Sequence, residues 1–224
     1  MRDSKAVNLV AGLVTFGAAA AMVLSLRGGL RPHFNPKPHE AAGWMMARQA
    51  LGLLKPGGRL TVITRDTAAF KNPATDIQLA SFRKAVRKAH ASIGAIRVLQ
   101  VDPLRPVEVP PGDFLELLRR TPKESVIVSF MGPPLLSEAQ TKQLGAARAG
   151  IVAFCSGGLP DQVDLRWWFD QGLLQAAVVS RRNPIATRPR DLQGWFDQSF
   201  VAVTTASDPN LSARGNPQPD LRSP

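Results

Sequence analysis

The sequence predicts an α/β domain: an open, doubly wound, mostly parallel sheet of five or six strands with helices on both faces, preceded by an N-terminal transmembrane helix. Three observations predict it. Short runs rich in Val and Ile recur as near-continuous apolar stretches, the pattern of strands buried on both faces. Amphipathic segments with helical spacing separate these runs, so successive strands need crossover connections and run parallel. Near the N-terminus, residues 6–26 carry no charge at all.

Residues 1–5 form a short flank that includes Arg2 and Lys5. The run 6–26 is interrupted only by Asn8, Thr15 and Ser25. At about 1.5 Å per residue a helix of this length just spans a hydrocarbon core of about 30 Å. The small residues at 18–21 would also suit a signal-peptide cleavage site. The apolar run continues through Met22, Val23 and Leu24, which favours an uncleaved anchor. Arg27 and Arg31 balance the positive charge of the N-terminal flank, so the charge rule does not orient the segment. A short N-terminus before a folded domain favours an extracytoplasmic domain on a bacterial-type inner membrane. Gly28, Gly29, Pro32, Pro36 and Pro38 make 27–39 a spacer, and 40–206 is the single α/β domain. The Pro-rich stretch 207–224 has almost no apolar residues and is expected to be a disordered tail.

Within the domain, residues 40–54 space Ala42, Met45, Met46, Gln49 and Leu53 helically, and Lys55-Pro56-Gly57-Gly58 stops the helix. A strand follows over 59–64. Residues 75–90 form an amphipathic helix with Ile77, Leu79, Phe82 and Val86 toward the core, and 96–101 a second strand. Pro111-Gly112-Asp113 opens a helix to Arg120, with Asp113 placed for its N-terminal dipole. The third strand is 125–130. Ser137-Glu138-Ala139-Gln140 has capping-box spacing for a helix to 147. The fourth strand is 151–155, a helix spans 161–171, and the fifth strand is 175–180. A short helix at 191–197 and a sixth strand at 200–204 complete the series.

In such a sheet, ligands bind outside the carboxyl ends of the strands. The strand-tip residues Asp66, Asp102, Cys155, Ser156, Gly157, Ser180, Arg181 and Arg182 are therefore the ligand-binding candidates. Backbone N–H groups around Gly157 and Gly158 could face an anion at the next helix start. A nucleophilic Cys155 would need a histidine beside it. His33, His39 and His90 lie in the spacer, at a helix start and near a helix end, and none is at a strand tip. The same scarcity argues against a metal centre, and no glycine-rich dinucleotide or phosphate loop is present. No cofactor is expected, and the balance leans away from an enzyme. Trp167, Trp168 and Phe169 share one helix and cannot all face one way, so two are expected to pack and one to be exposed.

The net charge is +11, which suits an anionic partner. Its distribution is scattered. The tightest group, Arg83, Lys84, Arg87 and Lys88, makes one helical face, as a module held on acidic lipid would have. Scatter disfavours nucleic acid, and the 6% of aromatic residues, with no tyrosine, disfavours a ring-lined sugar cage or a stacking platform.

Two resemblances bear on function. The segment Leu54-Lys55-Pro56-Gly57-Gly58-Arg59-Leu60 is similar to one that precedes a late strand in Rossmann-type methyltransferases, but here it precedes the first strand. Read as a whole, residues 59–205 resemble one lobe of the periplasmic binding proteins of the type I, sugar-binding class. Arg59-Leu60-Thr61-Val62-Ile63-Thr64 is similar to the strand opening their C-terminal lobe, and Ile151-Val152-Ala153-Phe154-Cys155 to a later one. The most specific stretch runs from Trp168-Phe169-Asp170-Gln171-Gly172 through the strand to Ser180 and Asn183-Pro184. That family closes two lobes over its ligand, whereas this sequence carries one. Cys155-Ser156 stands where an acidic residue is frequent, and Ser180 where Gln is. The resemblance implies a membrane-tethered, non-enzymatic module for a small ligand or a protein partner. Asp66, Ser156, Arg181 and Arg182 would lie at its cleft edge, and a homodimer could rebuild the two-lobed cleft.

Overall fold

The computed structural model describes residues 34–68, 71–100, 109–134, 136–142, 148–186 and 188–204. The chain divides at Asn35, and the compact unit that begins at Pro36 holds all the elements below. The expected anchor at 6–26, Asp102 and the tail at 207–224 lie outside the described residues. Among the described residues no helix is long and apolar enough to cross a membrane.

Six strands form one sheet: β1 (Leu60–Arg65), β2 (Ile93–Leu99), β3 (Val126–Ser129), β4 (Gly150–Cys155), β5 (Ala176–Ser180) and β6 (Phe200–Thr204). Their order is β2-β1-β3-β4-β5-β6. All neighbours pair in parallel except β5 and β6, which run antiparallel with Ser180 opposite Phe200. The helices are α1 (Lys37–Leu53), α2 (Pro73–Lys88), α3 (Pro111–Arg120), α4 (Glu138–Lys142), α5 (Leu159–Gln162), α6 (Leu165–Asp170) and α7 (Leu192–Ser199).

Alternation along the strands divides the core in two. Leu60, Val62, Val126, Val128, Val152, Phe154, Ala176, Val178 and Phe200 face a layer built from α1, α2 and α7. Ile63, Ile127, Ile151, Ala153, Cys155, Ala177, Val179 and Val203 face Phe114 and Leu118 of α3, with Val163 and Trp168, on the other side. Both faces are therefore apolar, which is why the strand sequences show no polar alternation. The direction of travel explains the layering. Right-handed crossovers place the one leftward connection, β1 to β2, on the α1 side, and the rightward connections between parallel strands on the other. The rule does not bind the antiparallel β5–β6 connection, whose helix α7 lies on the α1 side.

α1 is buried nearly all round, because the sheet, α2 and α7 surround it. Its small residues Ala41, Ala42, Gly43, Ala47 and Ala50 allow this close approach. The tightest point is Gly43, where an added Cβ would overlap the Gln78 carbonyl oxygen of α2 and lie 2.8 Å from its carbon.

Several boundaries differ from expectation for identifiable reasons. α1 begins at Lys37, not at 40, because Pro36 and Pro38 suit the first turn, where no backbone N–H is required. α2 likewise starts at Pro73, capped by Asn72, whose Oδ1 accepts from the Thr75 N–H at 3.1 Å. β2 spans Ile93–Leu99, three residues earlier than expected at its start. His90, at φ 55°, closes the preceding helix and lets the strand begin early. The single helix expected over 161–171 is two, α5 and α6. They are broken at Val163, which is extended and buried, and at Asp164, whose carboxylate caps α6 by accepting from the Trp167 N–H at 3.0 Å. Gly57, at φ +80°, makes the turn after α1. The Lys55-Pro56-Gly57-Gly58 segment is thus the turn between α1 and the first strand. Trp168 is buried, Trp167 and Phe169 are half-buried against the second core, and none of the three is exposed, contrary to the expected outlier.

Candidate functional site

In the 2-1-3 order the chain leaves β1 toward one face and β3 toward the other, so their loops diverge and open a crevice at the strand tips. A cavity of about 620 Å³ lies there, at the carboxyl ends of β1, β3, β4 and β5 on the α1–α2 side. Its floor is apolar: Phe130 just after β3, Phe154 in β4 and Phe200 at the start of β6 belong to the same core layer. These rings are locked by their neighbours. Phe130 meets Phe82 edge-on at 5.6 Å, and Phe154 lies 5.7 Å from Phe200, which stacks at 5.9 Å on Phe196.

The polar wall comes from the two helices. His39, in the first turn of α1, and Gln78 of α2 face each other, with Gln78 Nε2 3.4 Å from His39 Nδ1. With the amide nitrogen donating, Nδ1 accepts and the ring is neutral. Burial acts in the same direction, lowering the His39 pKa from 6.5. Asn72 and Thr75, at the start of α2, complete this wall. Around the rim stand Arg65 at the end of β1, Ser156 after β4 and Ser180 at the end of β5.

The cavity thus takes in Ser156 and Ser180 of the residues singled out in the sequence. Asp66 is not brought to it: its Oδ1 accepts from the Ala68 N–H at 2.8 Å, folding the carboxylate onto its own loop. Cys155 is fully buried in the opposite core layer, and burial raises its thiol pKa to about 12, so it is no nucleophile at neutral pH. Gly157 is exposed in the turn after β4, while Gly158 lines the cavity. The following helix has only four residues, too short to present an appreciable dipole. Arg181 staples the β5–β6 end of the sheet, its Nε donating to the carbonyls of Asp197 at 2.9 Å and Phe200 at 3.0 Å. Arg182 is exposed beside it and does not line the cavity.

His39, Gln78 and the three phenylalanines were missed. Low aromatic content did not reveal that three of ten phenylalanines gather at one cavity. In the sequence His39 is remote from any strand tip, yet the start of α1 lies over the tips. A signal existed for Gln78: with Phe82 and Val86 it forms the buried i, i+4, i+8 stripe of α2, and a glutamine on such a stripe needs a polar reason. Arg83, Lys84, Arg87 and Lys88 are exposed together on the outer face of the same helix, away from the cavity.

No family model matches the chain, and no curated protein matches it. Solved structures similar to it include a carbohydrate-transporter solute-binding protein from Agrobacterium radiobacter in complex with D-arabinose, 13% identical, with a TM-score of 0.47. A sugar transporter from Clostridium phytofermentans (15% identical, TM-score 0.48) and an arabinose-binding protein from Geobacillus stearothermophilus (14% identical, TM-score 0.48) are alike to the same degree. The matches cover 80%, 74% and 75% of this chain but only 63%, 59% and 61% of those proteins.

Proposed function

We propose that this chain is a non-enzymatic module that binds a small polar molecule in the cavity at the strand tips, tethered to a membrane through residues 6–26 and displayed on the extracytoplasmic side. The observation that carries the reading is the cavity itself. At about 620 Å³ it falls in the range of small-ligand sites, and it combines a rigid apolar floor with converging polar side chains at the switch point of the sheet. The lining favours binding over catalysis. Cys155 is buried in the opposite layer with a raised pKa, and the His39 ring is engaged by Gln78.

A thermal-shift screen of the full-length chain against pentoses and hexoses, amino acids, nucleotides and adenosyl cofactors tests the binding reading. A ligand bound only to the native state raises its stability, so one chemical class should shift the melting temperature in a saturable way. The same shift in a Gln78→Ala and Phe154→Ala double variant would place binding elsewhere and remove the reading. A shift confined to adenosylmethionine would favour the methyltransferase resemblance instead. Tethering is tested separately, by whether the full-length chain stays with membranes through alkaline carbonate washing.

A further inference from the structure

The cavity holds positive charge with no negative charge to balance it. Among the described residues no aspartate or glutamate lines it. Two carboxylates lie nearby and neither lines the cavity: Asp66, in the loop after β1, accepts from the Ala68 N–H, and Asp76, in the first turn of α2, accepts from the Thr67 hydroxyl at 2.7 Å. Arg65 lines the cavity rim, is half-buried, and has no acid or carbonyl partner for its side chain among the described residues. It contrasts with Arg181, Arg120 and Arg166, each of which has a carbonyl or carboxylate in reach. Beside it, the sixteen-residue α2 directs its first turn at the same space through Asn72, Ala74 and Thr75, adding the positive end of a helix dipole.

We propose that the ligand of this cavity carries an oxyanion, a carboxylate or a phosphate, held by the Arg65 guanidinium at the N-terminal end of α2. The proposal rests on the binding reading above and names its ligand class. Arg65 would bind the oxyanion through a planar fork of donors, Ser156 and Ser180 are placed to hydrogen-bond polar groups around it, and the phenylalanine floor takes an apolar or ring-shaped body.

The test uses the full-length chain and triplets of probes that share a body and differ only in charge: glucose, glucuronate and glucose 6-phosphate; glycerol, glycerate and glycerol phosphate; a nucleoside and its monophosphate. Inorganic phosphate alone serves as a further probe. Calorimetry should show the charged members binding at least about tenfold more tightly than the neutral ones, with carboxylate and phosphate ranked by direct comparison. Arg65→Gln should abolish that advantage, bringing the charged and neutral members of a triplet to the same affinity, while Arg65→Lys, which keeps charge but loses the fork, should retain part of it. Equal affinity across a triplet, or an Arg65→Gln effect of equal size on charged and neutral members, overturns the oxyanion and leaves the binding module standing. Failure of every charged probe overturns the oxyanion, and failure of the neutral ones and the wider screen as well removes the binding reading too. The melting temperature of each variant without ligand separates these results from misfolding.

Discussion

Replacing Gly43 with alanine should destabilise the domain by about 2 kcal/mol, even though alanine is the better helix former. In an open helix the change would favour folding by about 1 kcal/mol. At Gly43 the new Cβ would overlap the carbonyl oxygen of Gln78, with the carbonyl carbon at 2.8 Å and the Cα at 3.0 Å. An unstrained carbon pair needs about 3.5 Å, so the carbonyl carbon alone would require α2 to retreat by roughly 0.7 Å, and the overlapping oxygen requires more. The obstacle is backbone, which cannot rotate aside, so the cost belongs at the upper end of the overpacking range, about 3 kcal/mol. The difference of about 2 kcal/mol corresponds to a fall of about 4–8 °C in melting temperature for a domain of this size. Gly52 supplies the control: it lies in the same helix, is exposed and has nothing within 4 Å of an added Cβ. Gly52→Ala should therefore stabilise by about 0.5–1 kcal/mol. Urea unfolding of the two variants gives opposite signs if packing governs position 43. Stabilisation by both would refute the argument and, with it, the close approach of α1 and α2 that positions His39 against Gln78.

Four further outcomes follow from groups that folding withdraws from water. Thr64 is 3% exposed and its hydroxyl has no hydrogen-bond partner among the described residues, so Thr64→Val should raise stability by about 1 kcal/mol in chemical denaturation; a loss would show that the hydroxyl is in fact satisfied. Cys155 should resist an aromatic disulfide reagent at pH 8 until the chain is unfolded, and rapid native labelling would contradict its burial. Because folding raises this thiol from 9.0 to about 12, the unfolded chain ionises first as pH climbs. Stability should then decline between those values, with a shallower slope in Cys155→Ala. His39 has the opposite sense: its folded pKa lies below 6.5, so its contribution is intact above that pH and is lost as pH falls below it. Titration of the ring followed by NMR should show the depressed midpoint, and an ordinary one would break the His39–Gln78 pairing.

The layered sheet was legible because both faces of every inner strand are apolar, so runs such as 126–128 and 151–154 admit few other readings. The edge strand β2 was placed late because it is only partly buried, and Gly94, which packs against Arg59, interrupts its pattern. The proline-initiated starts of α1 and α2 were hidden because proline marks both a spacer and a first helical turn. At the site, the strand-tip rule reached Ser156 and Ser180 but selected Asp66 where Arg65 faces the cavity; an Asx turn two residues long decides between them. The helical wall was beyond any such rule. α1 precedes the first strand, and only its packing against α2 brings position 39 to position 78.

The reversed direction of β6 has a practical consequence. Thr204 pairs with Ala176, at the end of the sheet remote from the cavity, whereas the chain enters α1 beside the cavity mouth at His39. An attachment made at the Thr204 end of β6 therefore lies away from the mouth, and a biosensor surface coupled there would present the cavity outward. Load applied between Lys37 and Thr204 would act along the strands, shearing the β5–β6 ladder as a whole instead of unzipping it pair by pair.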